Sequence, residues 1–490
     1  MLASRLRIGS KTLNPPQSLF QVETDFFGSR PVLLDRRTFR LGADFEELGT
    51  QGVELDETAF WEAFIWDMPL GKRTLDRNVE FLCPGSRHTV DCERRLLTSR
   101  AVDPIEAAPA HRGPVAIVER IDRRLQEVCN ALVTSVGPGE KILLPLSGGL
   151  DGRLLATYLA RTGIAPERIE VVTFALDRSS LEYRLAGRVV RHLGLGKHHF
   201  HEIRREGYVA HADDFWRTWR GVLSVLHGHL YGFLKRVKGE YALIVSGLLG
   251  DAVAGFMARA PGTTRTLWST SAFEQVRHFD RAMSFPATVR SQILDDLGVL
   301  YDDWQRSDLP IEFEEFMYFR QRQPKTFGPL LASYRRVVPV STPYLDPELI
   351  NLFLSCPFEL RREKRVSRAL LQRCDPVLAE LPDVSTAFST VNATTRARRV
   401  LSTWSARTAV TLAILSGDRL RWFNPFATED IFTAMRFECR KPVLHVLAGL
   451  KRAGILSSRQ ELLFSHKPIR SSEAVRHARL LTYLPWIDSM

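Results

Sequence analysis

Lys141-Ile142-Leu143-Leu144-Pro145-Leu146-Ser147-Gly148-Gly149-Leu150-Asp151-Gly152-Arg153 is the stretch that decides how this chain is read. Its apolar run, Ile142 to Leu146, is what a strand buried on both faces requires. The run stops at Ser-Gly-Gly and an Asp, and a helix-compatible segment follows from Arg153 to Arg161. Strand, tight turn and helix start together make an anion site. Glycine lets the backbone come close, and the N–H groups at the helix start point at a phosphate. No Gly-Lys-Ser/Thr ends the loop, so it is not a Walker A motif. Nor does it carry the three glycines of a dinucleotide fingerprint. Taken alone, a plain Gly-Gly turn between strand and helix accounts for it equally well.

Reading outward, an amphipathic helix runs up to this strand, with Ile117, Val118, Ile121, Leu125, Val128 and Leu132 on one face. Ile169 to Phe174 reads as a second strand, about 181–193 as a helix, and Tyr241 to Val245 as a third strand that ends in Ser246-Gly247. Apolar strands alternating with helices predict an α/β fold whose parallel sheet is covered on both faces. Ligands of such sheets bind beyond the carboxyl ends of the strands. Upstream, residues 15–95 read as short strands such as Pro31 to Leu34. One helix interrupts them, with Asp56 as its N-cap and Ala59, Phe60, Ala63 and Phe64 at helical spacing. Ser99 to Pro114, with three prolines, is the expected linker, and from residue 270 on the chain reads as mainly helical.

At 490 residues, with 44% hydrophobic and 25% charged content, the composition is that of a folded protein of two or more domains. No run approaches the ~18 apolar residues of a membrane span. Met1 to Lys11 is basic without an apolar core, which argues against a secretory signal. Six cysteines without a CxxC pair fit reduced thiols and a cytoplasmic location. The net charge of +11 admits an anionic partner or an evenly spread arginine-rich surface. Clusters such as Arg361-Arg362-Glu363-Lys364-Arg365 carry an acid and no interleaved aromatics, so nucleic acid is not the expected partner. The histidines at 198, 199, 201, 227 and 229 read as structural rather than as a zinc site.

The first loop has a counterpart about a hundred residues later, Ser246-Gly247-Leu248-Leu249-Gly250-Asp251. This ordered pair resembles the synthetase domain of the asparagine synthetase family, whose relatives include β-lactam synthetases and lasso-peptide macrolactam cyclases. Further stretches are similar in the same order: Val172 to Ala175 with Glu182 and Ala186; Pro343-Tyr344-Leu345-Asp346; and Pro357 to Leu371 with Lys364 and Arg368. Leu70 to Leu75 with Pro84-Gly85 resembles the end of the family's glutaminase-like domain.

The resemblance implies an adenine-nucleotide-hydrolase-like parallel sheet with flanking helices, preceded by a shortened Ntn-glutaminase-like α+β domain. The expected boundaries are 1–112 for the degenerate glutaminase-like part, 113–400 for the ATP-pyrophosphatase part and 401–490 for a helical C-terminal extension. It also implies ATP and Mg²⁺. Leu146, Ser147, Gly148, Gly149, Asp151, Gly152, Leu176, Ser246 and Gly247 would border ATP and its pyrophosphate, and Asp151 and Asp251 would be the catalytic metal-binding pair. Two such carboxylates face one metal only if their strands are neighbours. Each could instead be an acid complementing a helix N-terminus. The implied reaction is AMP-forming amide synthesis from a small-molecule or peptide carboxylate and an amine. Macrolactam formation, sugar-acid amidation, a non-catalytic ATP-binding scaffold and, last, RNA modification are the alternatives.

Four positions depart from the family pattern. Leu2 stands where glutamine-using members carry a cysteine, so glutamine hydrolysis is not expected and the amine would be ammonia or part of a substrate. Gly152 replaces a serine, and Leu248 replaces a glutamate or tyrosine near the reacting groups. The family's late lysine has no clear match, and Thr394 to Arg399 offers arginines instead.

Overall fold

The computed structural model describes residues 19–50, 52–102, 113–175, 178–307, 309–382, 440–465 and 479–489. The N-terminal part supplies six short strands: β1 (Leu19–Glu23), β2 (Leu33–Asp35), β3 (Arg40–Gly42), β4 (Val79–Phe81), β5 (Ser86–Asp91) and β6 (Leu96–Ala101). They form two antiparallel sheets, β1-β5-β6 and β3-β2-β4. Between them lies the helix Glu57–Trp66, whose N-cap is Asp56 as the sequence predicts; the Asp56 side chain accepts the Ala59 N–H. The expected linker is corrected in part: Ser99 to Ala101 belong to β6, where they pair with Ser86 to His88. The next helix starts at Pro114, which serves as its first residue because proline has no N–H to leave unsatisfied there.

Five strands make the central sheet: β7 (Ile142–Pro145), β8 (Ile169–Ala175), β9 (His198–Glu202), β10 (Leu243–Val245) and β11 (Val340–Ser341). Their order is β11-β10-β7-β8-β9, and every neighbouring pair is parallel. Ile142, Leu143, Leu144, Val171, Val172, Ile244 and Val245 are fully buried, which explains why these strands read as apolar runs rather than alternating ones. From β7 the chain builds outward through β8 and β9, then crosses to β10 and β11 on the other side. The reversal lies between β7 and β10, the place where such sheets open a crevice for ligands.

One hydrophobic core runs from Phe26 and Phe27 through the sheet to Leu480 and Ile487. Arg73 ties the N-terminal part to the helix Ala287–Arg306 by bonding Asp56 (2.6 Å) and Asp296 (2.8 Å). The C-terminal segment is held by Tyr483, whose ring lies 5.4 Å from that of Phe60, and by the stacked pair Trp216–Trp486. Asp346 of the Pro343–Asp346 stretch has a structural task. It caps the helix Pro347–Leu354 by accepting the Leu349 N–H, and its two oxygens receive the Arg124 guanidinium at 3.0 and 2.7 Å.

Histidines 198, 199 and 201 sit on the edge strand β9. His199 lies 2.6 Å from Glu170, which Lys141 and Tyr241 also bond. Against the burial that would raise it, the bonds from His199, Lys141 and Tyr241 bring the Glu170 carboxyl down to about 2.

Gly148 is the residue that lets the first loop pack. Its φ is +74°, and a Cβ there would lie 2.5 Å from Leu185 Cβ on the helix Leu181–Leu193. Gly148→Ala is expected to lower stability by about 2 kcal/mol or more, from backbone strain plus a forced shift of that helix. Urea unfolding of the two proteins side by side measures the difference.

Candidate active site

The first loop leaves β7 at Leu146 and enters a helix that spans Leu150–Ala160, three residues earlier than the sequence suggests. The earlier start corrects the role expected of Arg153. Its N–H makes the first intrahelical bond, to Gly149 O at 3.0 Å, so it does not face a ligand. Its guanidinium is buried beneath the loop, donating to the carbonyls of Gly148 (2.6 Å), Leu378 (2.9 Å) and Pro382 (2.8 Å). The helix start is therefore formed by Leu150, Asp151 and Gly152, the positions whose N–H groups have no intrahelical acceptor. Gly149 caps this helix without a side-chain bond.

The second loop leaves β10 beside it. Leu249 is a non-glycine residue in the left-handed region (φ +72°), a conformation that costs roughly 1–2 kcal/mol. Burial of its side chain and a bond from Thr342 Oγ1 to Leu248 O (2.8 Å) hold the turn in place. The turn brings Gly250 against the first loop, where a Cβ on it would lie 3.0 Å from Asp151 Cβ and 2.8 Å from the Tyr344 ring. Asp251 follows. Its Oδ2 accepts the Tyr318 hydroxyl at 2.8 Å, and its Oδ1 accepts the Ala252 N–H at 2.9 Å. Burial, with the Asp251 charge beside it, pushes the Tyr318 hydroxyl pKa up, so it stays a proton donor to that carboxylate.

A third segment arrives from the other side of the crevice. Glu363 and Lys364 are consecutive non-glycine residues with left-handed φ (+55° and +57°). This turn follows Arg361, which is buried in an ion pair with Glu315. It delivers the Lys364 ammonium to Asp151 Oδ2 at 2.6 Å. The sequence offered no clear lysine for this charge. Lys364 brings one, while Thr394 to Arg399 lie outside the described residues.

These segments border a cavity of about 1100 Å³. Leu146, Ser147, Gly149, Asp151, Gly152, Ser246, Gly247 and Asp251, which the sequence placed on two separate loops, all line it. Gly148 lies behind the loop against Leu185, and Leu176 falls outside the described residues. Leu248 is on the wall, as are Arg259, Arg362, Lys364 and Arg368. Among the described residues no group of three or more His, Cys, Asp and Glu side chains could hold a metal by itself.

His227 and His229, read from the sequence as structural rather than zinc-binding, both stand on the cavity wall. His227 Nε2 lies 2.6 Å from Asp67 Oδ2, and Arg479 forms an ion pair with the other oxygen of Asp67 at 2.9 Å. Against its burial, the charges of Arg479 and His227 hold the Asp67 carboxyl below its ordinary range. His229 stacks on Phe174, and its Nδ1 meets the Tyr208 hydroxyl at 2.5 Å. The His227-Gly228-His229 doublet was visible in the sequence. Asp67 and Tyr318 gave no signal, since the groups they bond lie 160 and 67 residues away.

Burial brings the His229 pKa down to about 3, so folding requires the neutral ring. A histidine depressed in the folded state contributes stability that is present above its unfolded pKa and lost as pH falls toward the folded value. The loss attributable to this residue should reach on the order of 2 kcal/mol by about pH 5. Thermal unfolding at pH 7 and pH 5 should show a smaller drop in Tm for His229→Gln than for the natural chain.

A comparison with curated proteins finds no match. Residues 139–376, which carry both loops, the central sheet and the Lys364 turn, match the family model for asparagine synthase. Over this stretch, just under half of the chain, the protein is similar to the asparagine synthase family.

Proposed function

We propose that the chain is an ATP-dependent, AMP-forming amide ligase: it adenylates a carboxylate and transfers the acyl group to an amine. The observation that carries this reading is the convergence of a helix start, two aspartates and a set of cations on the wall of one cavity, with Lys364 on Asp151. The N–H groups of the first turn from Leu150 would receive phosphate oxygens. Lys364, Arg259, Arg362 and Arg368 would neutralise pyrophosphate as the substrate carboxylate displaces it from the α-phosphorus. Asp151 and Asp251 suit Mg²⁺, being hard oxygen ligands on neighbouring loops of one cavity, and Asp151 already binds an ammonium. When bound, Mg²⁺ would supply charge neutralisation between phosphates, with water and phosphate oxygens completing its shell.

In the second half-reaction the amine attacks the acyl carbon, AMP departs with the C–O bond electrons, and the amine sheds a proton. Leu248 can accept none. His227 can, because Asp67 fixes one ring nitrogen and orients the other. The amine is then a substrate in its own right. Cys83, the first cysteine of the sequence, is a poor nucleophile because burial pushes its thiol pKa up. Leu248 on the wall motivates the competing reading of an ATP-binding scaffold, which would bind ATP without releasing pyrophosphate for any acid. No helix among the described residues is long and apolar enough to cross a membrane.

Two outcomes test the proposal. An ATP–pyrophosphate exchange screen across carboxylic acids, run with Mg²⁺, should give acid-dependent exchange that Asp151→Ala and Asp251→Ala each reduce by at least about 100-fold. Exchange that needs no acid, or survives both substitutions, sinks the ligase reading. With an acid so identified, His227→Gln should keep exchange while amide formation falls by roughly 10²- to 10⁴-fold. Equal losses in both half-reactions would remove His227 from the amine step.

A further inference from the structure

Among the described residues, every Asp, Glu, Lys and Arg that lines the cavity comes from residues 151, 251–259 or 362–368, among them the groups assigned above to phosphates and metal. A separate set of lining residues is Phe174, His227, His229, Phe327, Leu330 and Tyr334. Phe327, Leu330 and Tyr334 follow at intervals of three and four residues, so they share one face along the helix Gly328–Arg335 and its entry. Phe174 stacks on His229, and the His227 and Phe327 rings lie 6.5 Å apart, which makes the wall continuous. Leu248 completes it on the β10 side.

The polar groups on this wall are already engaged. His229 is bonded to Tyr208, His227 to Asp67, and Tyr334 to the backbone of Leu230. His229 is neutral at ordinary pH. Neither these six residues nor Leu248 carries a carboxylate, an ammonium or a guanidinium. An amino-acid side of a substrate, with its ammonium and second carboxylate, would meet no partner here, and a charge buried without one is strongly disfavoured. A ring or alkyl group would meet aromatic and aliphatic surface, and burial would favour it. At about 1100 Å³ the cavity exceeds the roughly 300–1,000 Å³ usual for one small ligand, so a nucleotide leaves room for such a group.

We propose that the acid activated by this chain carries its carboxylate on an uncharged, apolar body of about aromatic-ring size, and is not a charged amino acid such as aspartate. The inference rests on the ligase reading for the carboxylate's role, but the preference of the wall is measurable apart from turnover. Titration calorimetry on the full chain, with Mg²⁺ and a non-cleavable α,β-methylene analogue of ATP, would compare 3-phenylpropanoate with L-aspartate. The aromatic acid should bind at least about tenfold more tightly. Leu248→Asp and Phe327→Asp, both at partly exposed positions, should each abolish that advantage. Aspartate binding as well or better overturns the inference, as does undetectable binding of the aromatic acid or an affinity indifferent to both substitutions. If the aromatic acid binds but the nucleotide analogue does not, the ligase reading fails while the inference about the wall stands.

Discussion

The parallel pairing of β7 with β10, Leu243 opposite Ile142 and Ile244 opposite Leu143, is the constraint on which the site depends. Strand ends point the same way only in a parallel pair, so both loops leave the sheet at the same edge. Because β7 also pairs with β8 on its other side, the loop after β7 sits at the reversal of strand order. Asp151 and Asp251 line the same cavity for this reason, although each was specified by its own local turn.

Three left-handed non-glycine residues, Leu249, Glu363 and Lys364, lie in the two segments that close this crevice. Strain of this kind persists only where surrounding structure holds it. Here the restraints are visible: the buried Leu249 side chain, the bond from Thr342 to Leu248 O, and the buried Arg361–Glu315 pair just before the Lys364 turn. The strained turns deliver one aspartate and one ammonium to the same place. The consequence is that both turns place charged groups on the wall of one cavity.

The far wall is supported from behind by parts of the chain remote from the family domain. Asp67, at the end of the helix Glu57–Trp66, and Arg479, in the C-terminal segment, meet over His227. Tyr483 and Trp486 pack that C-terminal segment onto Phe60 and Trp216. The orientation of a ring at the site thus depends on packing contributed by both ends of the chain.

The sequence by itself determined the parts whose causes are local. The apolar runs announced buried strands, the helical spacing around Ile117 and Ala59 announced helices, and the glycines after β7 and β10 announced two tight loops. These follow from residue type and period, which need no partner far away. The helix start at Leu150 was missed because Leu150 to Gly152 carry no capping side chain, and a glycine cap leaves little trace in a sequence. Only the tertiary structure decided that Lys364 reaches Asp151, that Tyr318 holds Asp251, and that Asp67 and Arg479 turn His227 from a filler into a wall of the site. Each of those contacts joins residues scores to hundreds of positions apart. The packing of helices on a twisted sheet sets their distance, and no pattern within one segment encodes it.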